Sequence, residues 1–127
     1  MKSFLKFITA VAIIGLTFPI NANAEGDPVS GEDIFNKKCK ICHTAEQGGD
    51  AKIGPNLFGV HNSKAGQFAG YSYSKSLIEA DLTWDDATLD AYLLKPRDVI
   101  SRGKMVFAGF RKPQDREDVI AYLKTLK

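Results

Sequence analysis

The chain has 127 residues, 25% of them charged, with 17 Lys and Arg against 15 Asp and Glu. The positive excess is carried by Lys2 and Lys6, so that from Glu25 onward the two signs balance. That length fits one domain, and the balance excludes the basic face a nucleic-acid binder needs.

In chain order, Lys2 and Lys6 precede an apolar run from Phe7 to Phe18, which ends in Ala22-Asn23-Ala24, a small-x-small cleavage signature before Glu25. The run falls short of the ~20 residues that span a bilayer. Residues 1–24 are expected to be a cleaved secretory signal and residues 25–127 the domain; an uncleaved membrane anchor is the alternative. Export places the chain in the periplasm. Glu25 to Val29 reads as a short, loose new N-terminus. Ser30 with Asp33 makes a capping-box-like start, and Ile34, Phe35 and Lys38 follow at helical spacing.

The helix runs into Cys39-Lys40-Ile41-Cys42-His43, which holds both cysteines of the chain. In C-x-x-C-H two thiols can add across the two vinyl groups of one haem, and the histidine is held beside the iron as an axial ligand. Two other readings exist. A thioredoxin-like disulfide wants a βαβ setting, which the helix-then-loop flanks do not provide. A zinc site would need Cys39, Cys42, His43 and His61, and the adjacent Cys42 and His43 cannot easily face one tetrahedral ion. Export favours haem, because c-type attachment takes place outside the bacterial membrane and removes two free thiols from an oxidising space.

Residues 44–72 are glycine-rich and loop-like for longer than a compact domain tolerates, unless something other than secondary structure organises them. A buried haem would do so. Thr83 and Asp86 repeat the capping pattern before a helix carrying Leu89, Tyr92 and Leu93, which Pro96 ends nearby. Pro113 suits the first turn of a last helix with Val119, Ile120, Tyr122, Leu123 and Leu126 as its apolar face. No segment shows sustained strand alternation. For a sixth iron ligand the residues leave two candidates. Met105 is the only methionine after residue 24, and His/Met ligation raises a reduction potential, although a lone Met is ordinarily core filling. His61 would give a lower-potential bis-histidine haem, but its polar loop suits a surface histidine better.

Taken together, Gly31 with Phe35, Cys39 to Thr44, Gly54-Pro55-Asn56-Leu57, Gly70 to Tyr73, Leu82-Thr83-Trp84, Tyr92-Leu93, Lys104 to Gly109 and Arg116 to Leu123 resemble class I cytochrome c, in that family's order and approximate spacing. The resemblance implies an all-α fold, a few helices and long loops wrapped around one haem c bound covalently through Cys39 and Cys42. It implies that His43 binds iron through Nε2 while its other ring nitrogen donates to the Pro55 carbonyl. Met105 would be the sixth ligand, with the Tyr92 hydroxyl near its sulfur, and Phe107 would cover the haem. Trp84 and Tyr73 would serve a buried propionate. Gly31 would let the first helix cross closely against the last, with Phe35 and Tyr122 at the crossing.

Two departures from the family pattern stand out. Asn62-Ser63-Lys64 replaces the usual Gly-Arg-Lys turn, so Ser63 brings no charge to a propionate. Ser101-Arg102-Gly103 replaces Pro-Gly-Thr before Lys104-Met105, which predicts a looser methionine loop. The implied function is electron carriage, not enzymatic turnover. A monomeric carrier would move between a quinol–cytochrome c reductase-like donor and an oxidase or reaction-centre acceptor, docking through the haem edge near Cys42. Lys38, Lys52, Arg97, Lys104, Arg111 and Lys112 occupy the family's basic ring, interrupted by Asp98. A haem protein with a labile Met105, open to ligands or peroxide, and a membrane-tethered module are the rival readings.

Overall fold

The computed structural model describes residues 25–127; the expected signal segment lies outside them. Five helices follow one another: α1 (Pro28–Lys38), α2 (Lys75–Ala80), α3 (Asp86–Leu94), α4 (Pro96–Val99) and α5 (Pro113–Thr125). Among the described residues the sole extended pairing is an isolated bridge between Lys64 and Thr83. The all-α expectation therefore holds, and so does the expectation that residues 44–72 form a long loop.

Two helix starts fall at other residues than the sequence pattern suggested, while α5 begins at Pro113 as expected. α1 is capped by Asp27, whose side chain accepts from Val29 N at 3.0 Å and from Ser30 Oγ at 2.8 Å. Ser30 thus serves the cap of a helix that began two residues earlier. The Asp27 amide in turn donates to Asp118 Oδ1 at 2.8 Å, 91 residues away. The segment expected to be loose is fastened to α5. α3 is capped by Asp85 through Thr88 N at 2.8 Å, not by Thr83, and Pro96 opens α4 directly after α3 ends. α2 was not foreseen. It buries only Leu77, too little to leave a periodic signal in six residues.

α1 and α5 cross at Gly31. A Cβ there would sit 2.5 Å from the Asp118 carbonyl carbon and 2.9 Å from Tyr122 Cβ, so only hydrogen permits the approach. One turn on, Phe35 is 2% exposed and its ring centre lies 5.2 Å from that of Tyr122. The sequence-based reading of this crossing is met at all three residues. α5 is tied to α3 by Arg116, whose Nε donates to Asp90 Oδ1 at 2.7 Å while Nη1 donates to the Phe110 carbonyl at 2.8 Å. Of the apolar face assigned to α5, Val119, Ile120 and Leu123 are buried; Tyr122 and Leu126 are half-buried. The core of Phe35, Leu77, Trp84, Leu89, Leu93, Val119 and Leu123 does not close on itself. Those residues border a cavity of ≈ 410 Å³, within the size range of cofactor sites.

Candidate haem site

α1 delivers the C-x-x-C-H motif to this cavity. Cys39 N donates to the Phe35 carbonyl at 2.8 Å, and the amides of Cys42 and His43 both donate to the Cys39 carbonyl at 3.0 Å. The chain therefore turns tightly at the helix end, and Cys39, Cys42 and His43 all line the cavity. The two thiols are unpaired. Burial, and then the neighbouring Cys42, push the Cys39 thiol up to about 11. A redox-active dithiol needs a lowered thiol pKa, so this environment argues against a thioredoxin-like role.

His43 is buried, and its Nδ1 lies 2.8 Å from the Pro55 carbonyl. With Nδ1–H donating to that acceptor, Nε2 is left with its lone pair for a metal. Burial above all, with Lys52's charge adding, holds the imidazole pKa below its ordinary value; the Pro55 bond opposes them. A neutral ring is the form that ligates. Gly54 keeps the ring in place by having no side chain, since a Cβ there would lie 2.5 Å from His43 Cε1. Met105 borders the same cavity from a loop 62 positions further along, as do Tyr73, Trp84, Tyr92 and Phe107. Trp84 and Tyr92 pack with ring centres 4.8 Å apart, and Phe107 meets Phe110 edge-on at 4.9 Å. Burial raises the Tyr92 hydroxyl to about 12 and also lifts that of Tyr73, which accepts from Phe68 N at 3.3 Å. Two thiols, one imidazole nitrogen, one thioether and an otherwise largely aliphatic and aromatic wall fit a covalently held haem.

His61 does not join them. It lies outside the cavity lining, with Nε2 2.6 Å from Asp86 Oδ1, while Lys124 Nζ donates to Asp86 Oδ2 at 2.7 Å. The structure therefore assembles neither the bis-histidine pair nor the four-ligand zinc set, and no other metal-holding cluster occurs among the described residues. Ser63 reaches the cavity wall, but its Oγ donates to the Val60 carbonyl at 2.7 Å, and the Lys64 ammonium is paired with Asp81 at 2.6 Å. Gly103 is not in the left-handed region, and its amide donates to the Ile100 carbonyl at 3.1 Å; its backbone needs no glycine freedom. Lys104 fastens the methionine loop by donating to the Ser72 carbonyl, with its Nζ 5.8 Å from the Tyr71 ring centre.

The six basic-ring residues are all exposed, and Lys38 and Lys104 border the cavity. Asp98 is paired with Lys95 at 3.2 Å, so part of the charge that interrupts the ring is neutralised locally. Two features were missed from sequence. One is the set of aliphatic residues left exposed near the motif and the methionine: Ile41 at 67%, Ile53 at 72% and Val106 at 89%. Hydrophobicity alone marks such residues for the core, so nothing in the pattern singled them out. The other is Asn56, a buried amide inside the long loop.

The family model for Cytochrome c matches residues 29–127. Over 99 residues, covering 78% of this chain and 88% of the relative, the sequence is 52% identical to a cytochrome c of Chlamydomonas reinhardtii. It is 47% identical to a cytochrome c2 of Rhodomicrobium vannielii over 117 residues, 91% of this chain and 93% of that one. A cytochrome c of Theileria annulata is 48% identical over 100 residues, 79% of this chain and 86% of its own. With this cavity and these matches, the chain belongs to the class I cytochromes c, electron carriers that hold a covalently attached haem c and are not enzymes.

Proposed function

We propose that this protein is an exported shuttle that carries single electrons between membrane complexes in the periplasm, with His43 and Met105 as the axial ligands of its haem. The observation that carries the reading is the convergence of Cys39, Cys42, His43 and Met105 on one largely apolar cavity, with His43 Nδ1 held by the Pro55 carbonyl. Haem, when bound, supplies an iron that changes charge by one electron. The protein's part would be to leave that iron no free position, to anchor the ring through Cys39 and Cys42, and to keep its surroundings alike in both oxidation states with the buried Trp84, Tyr92 and Leu93 that line the cavity. Tyr73 and Trp84 supply an O–H and an N–H on the cavity wall, which suits a propionate whose burial would otherwise be costly.

Docking is assigned to the cavity mouth. Lys38, Lys104, Ile53 and Val106 all line the cavity and are all exposed, a mixed basic and apolar set suited to acidic patches on a reductase-like donor and on an oxidase or reaction-centre acceptor. Export is supported by the similarity to a cytochrome c2 and by the apolar run from Phe7 to Phe18 with its Ala22-Asn23-Ala24 signature. Cleavage after Ala24 would give a mature mass that starts at Glu25 and includes one haem; a retained leader would show a tethered protein instead.

The axial pair is tested by the optical spectrum of the oxidised protein at neutral pH. The weak charge-transfer band of ferric iron bound to methionine sulfur is expected in wild type and absent in Met105→Ala. Wild type that lacks this band and binds cyanide or peroxide rapidly would overturn the closed-iron reading in favour of a labile Met105.

A further inference from the structure

The loop from Cys42 to Phe58 has no helix or strand, yet it must hold the Pro55 carbonyl 2.8 Å from His43 Nδ1. A bond between residues twelve apart keeps that length only if the intervening chain is fixed by other means. Every polar atom of the Asn56 side chain, which is 7% exposed, is engaged in fixing it. Nδ2 donates to Thr44 Oγ1 at 2.8 Å and to the Glu46 carbonyl at 2.9 Å, and Oδ1 accepts from Phe58 N at 2.9 Å. Thr44 Oγ1 donates to the Asp50 carbonyl at 2.6 Å, and the Thr44 carbonyl accepts from Leu57 N at 2.8 Å. Thr44 follows His43 in the chain and Asn56 follows Pro55. The two partners of the His43–Pro55 bond are therefore clamped one residue along on each side.

We infer that Asn56 is a positioning residue for His43: it fixes the Pro55 carbonyl against Nδ1 and thereby sets the orientation and basicity of the ligating imidazole. This inference rests on the axial role given to His43 above. A carbonyl acceptor on Nδ1–H fixes the tautomer and makes the other nitrogen a stronger donor. Alanine at position 56 leaves two acceptors and one amide in the loop without their partner. Aspartate keeps an acceptor for Phe58 N but turns a carboxylate oxygen toward the Glu46 carbonyl, so it breaks the clamp on one side only.

The test uses haem-loaded, reduced Asn56→Ala and Asn56→Asp proteins, with Thr44→Val as a milder break in the same clamp. Solvent exchange of the His43 Nδ1 proton is followed by NMR together with the amides of α1 and α5, and reduction potentials are measured in parallel. We expect Nδ1 exchange to accelerate about tenfold in Asn56→Ala, the change that losing the net contribution of one hydrogen bond gives to a local opening equilibrium. The order should be Ala, then Asp, then Val, with the α1 and α5 amides changing less. The potential should rise, because a less electron-rich imidazole stabilises oxidised iron less well. Unchanged Nδ1 exchange, or acceleration by the same factor as in α1 and α5, would reduce Asn56 to a general structural residue and overturn the inference. A wild-type protein with no slowly exchanging His43 Nδ1 proton would sink the axial reading of His43, and this inference with it.

Discussion

Replacing Gly31 by alanine tests the helix crossing on which the cavity depends. The added Cβ would stand 2.5 Å from the Asp118 carbonyl carbon and 2.9 Å from Tyr122 Cβ, against about 3.4 Å for ordinary contact. Both obstacles belong to the backbone or its first side-chain atom, so no rotamer change removes them. The Asp118 carbonyl oxygen is closer still, so α1 and α5 must part by more than an ångström, which loosens the Phe35–Tyr122 contact at 5.2 Å. Overpacking of a core costs ~1–3 kcal/mol where side chains can yield, and here the upper value applies. Against it, alanine in a helix is better than glycine by ~1 kcal/mol. The net expectation is a loss of about 2 kcal/mol. With a guanidinium slope of about 3 kcal/mol/M, the unfolding midpoint of the haem-loaded protein should fall by about 0.7 M. A midpoint equal to or above that of wild type would show that the helices part at no cost. The close approach at Gly31 would then not be what holds the crossing.

Two further predictions concern charge. Asp86 is held below its ordinary value of 3.8 by hydrogen bonds from Lys124 and then His61, Asp85 chiefly by the Thr88 amide, and Asp27 chiefly by Ser30. A lowered folded pKa means the unfolded chain takes up protons first, so this stability is complete above pH 3.8 and is lost as pH falls below it. A thermal midpoint that starts to fall near pH 4, and falls less steeply in Asp86→Asn, is the expected result; the same acid slope in that variant would remove Asp86 from the account. Turnover with a membrane oxidase should slow as ionic strength rises, and Lys104→Ala should flatten that dependence. A rate indifferent to salt would exclude the basic rim as a docking surface.

Much of this protein was legible because its chemistry is local. Two thiols and an imidazole that serve one haem must be neighbours, so Cys39, Cys42 and His43 carry their meaning within five residues, and the apolar face of α5 repeats at helical spacing. Met105, Trp84 and Tyr92 were placed through the order of motifs, and the cavity lining brings them together. Tertiary structure decided the rest. Asp27 caps α1 through local bonds from Val29 N and Ser30 Oγ, but what fastens that cap to α5 is its amide on Asp118, 91 residues away. His61 was settled by Asp86 and Lys64 by Asp81, partners 25 and 17 positions distant. Asn56 gained its position next to the His43–Pro55 bond from loop contacts that have no period. Pairings of this kind leave no local pattern, since each depends on where the folded chain returns, and the residue types alone would suit a surface turn equally well.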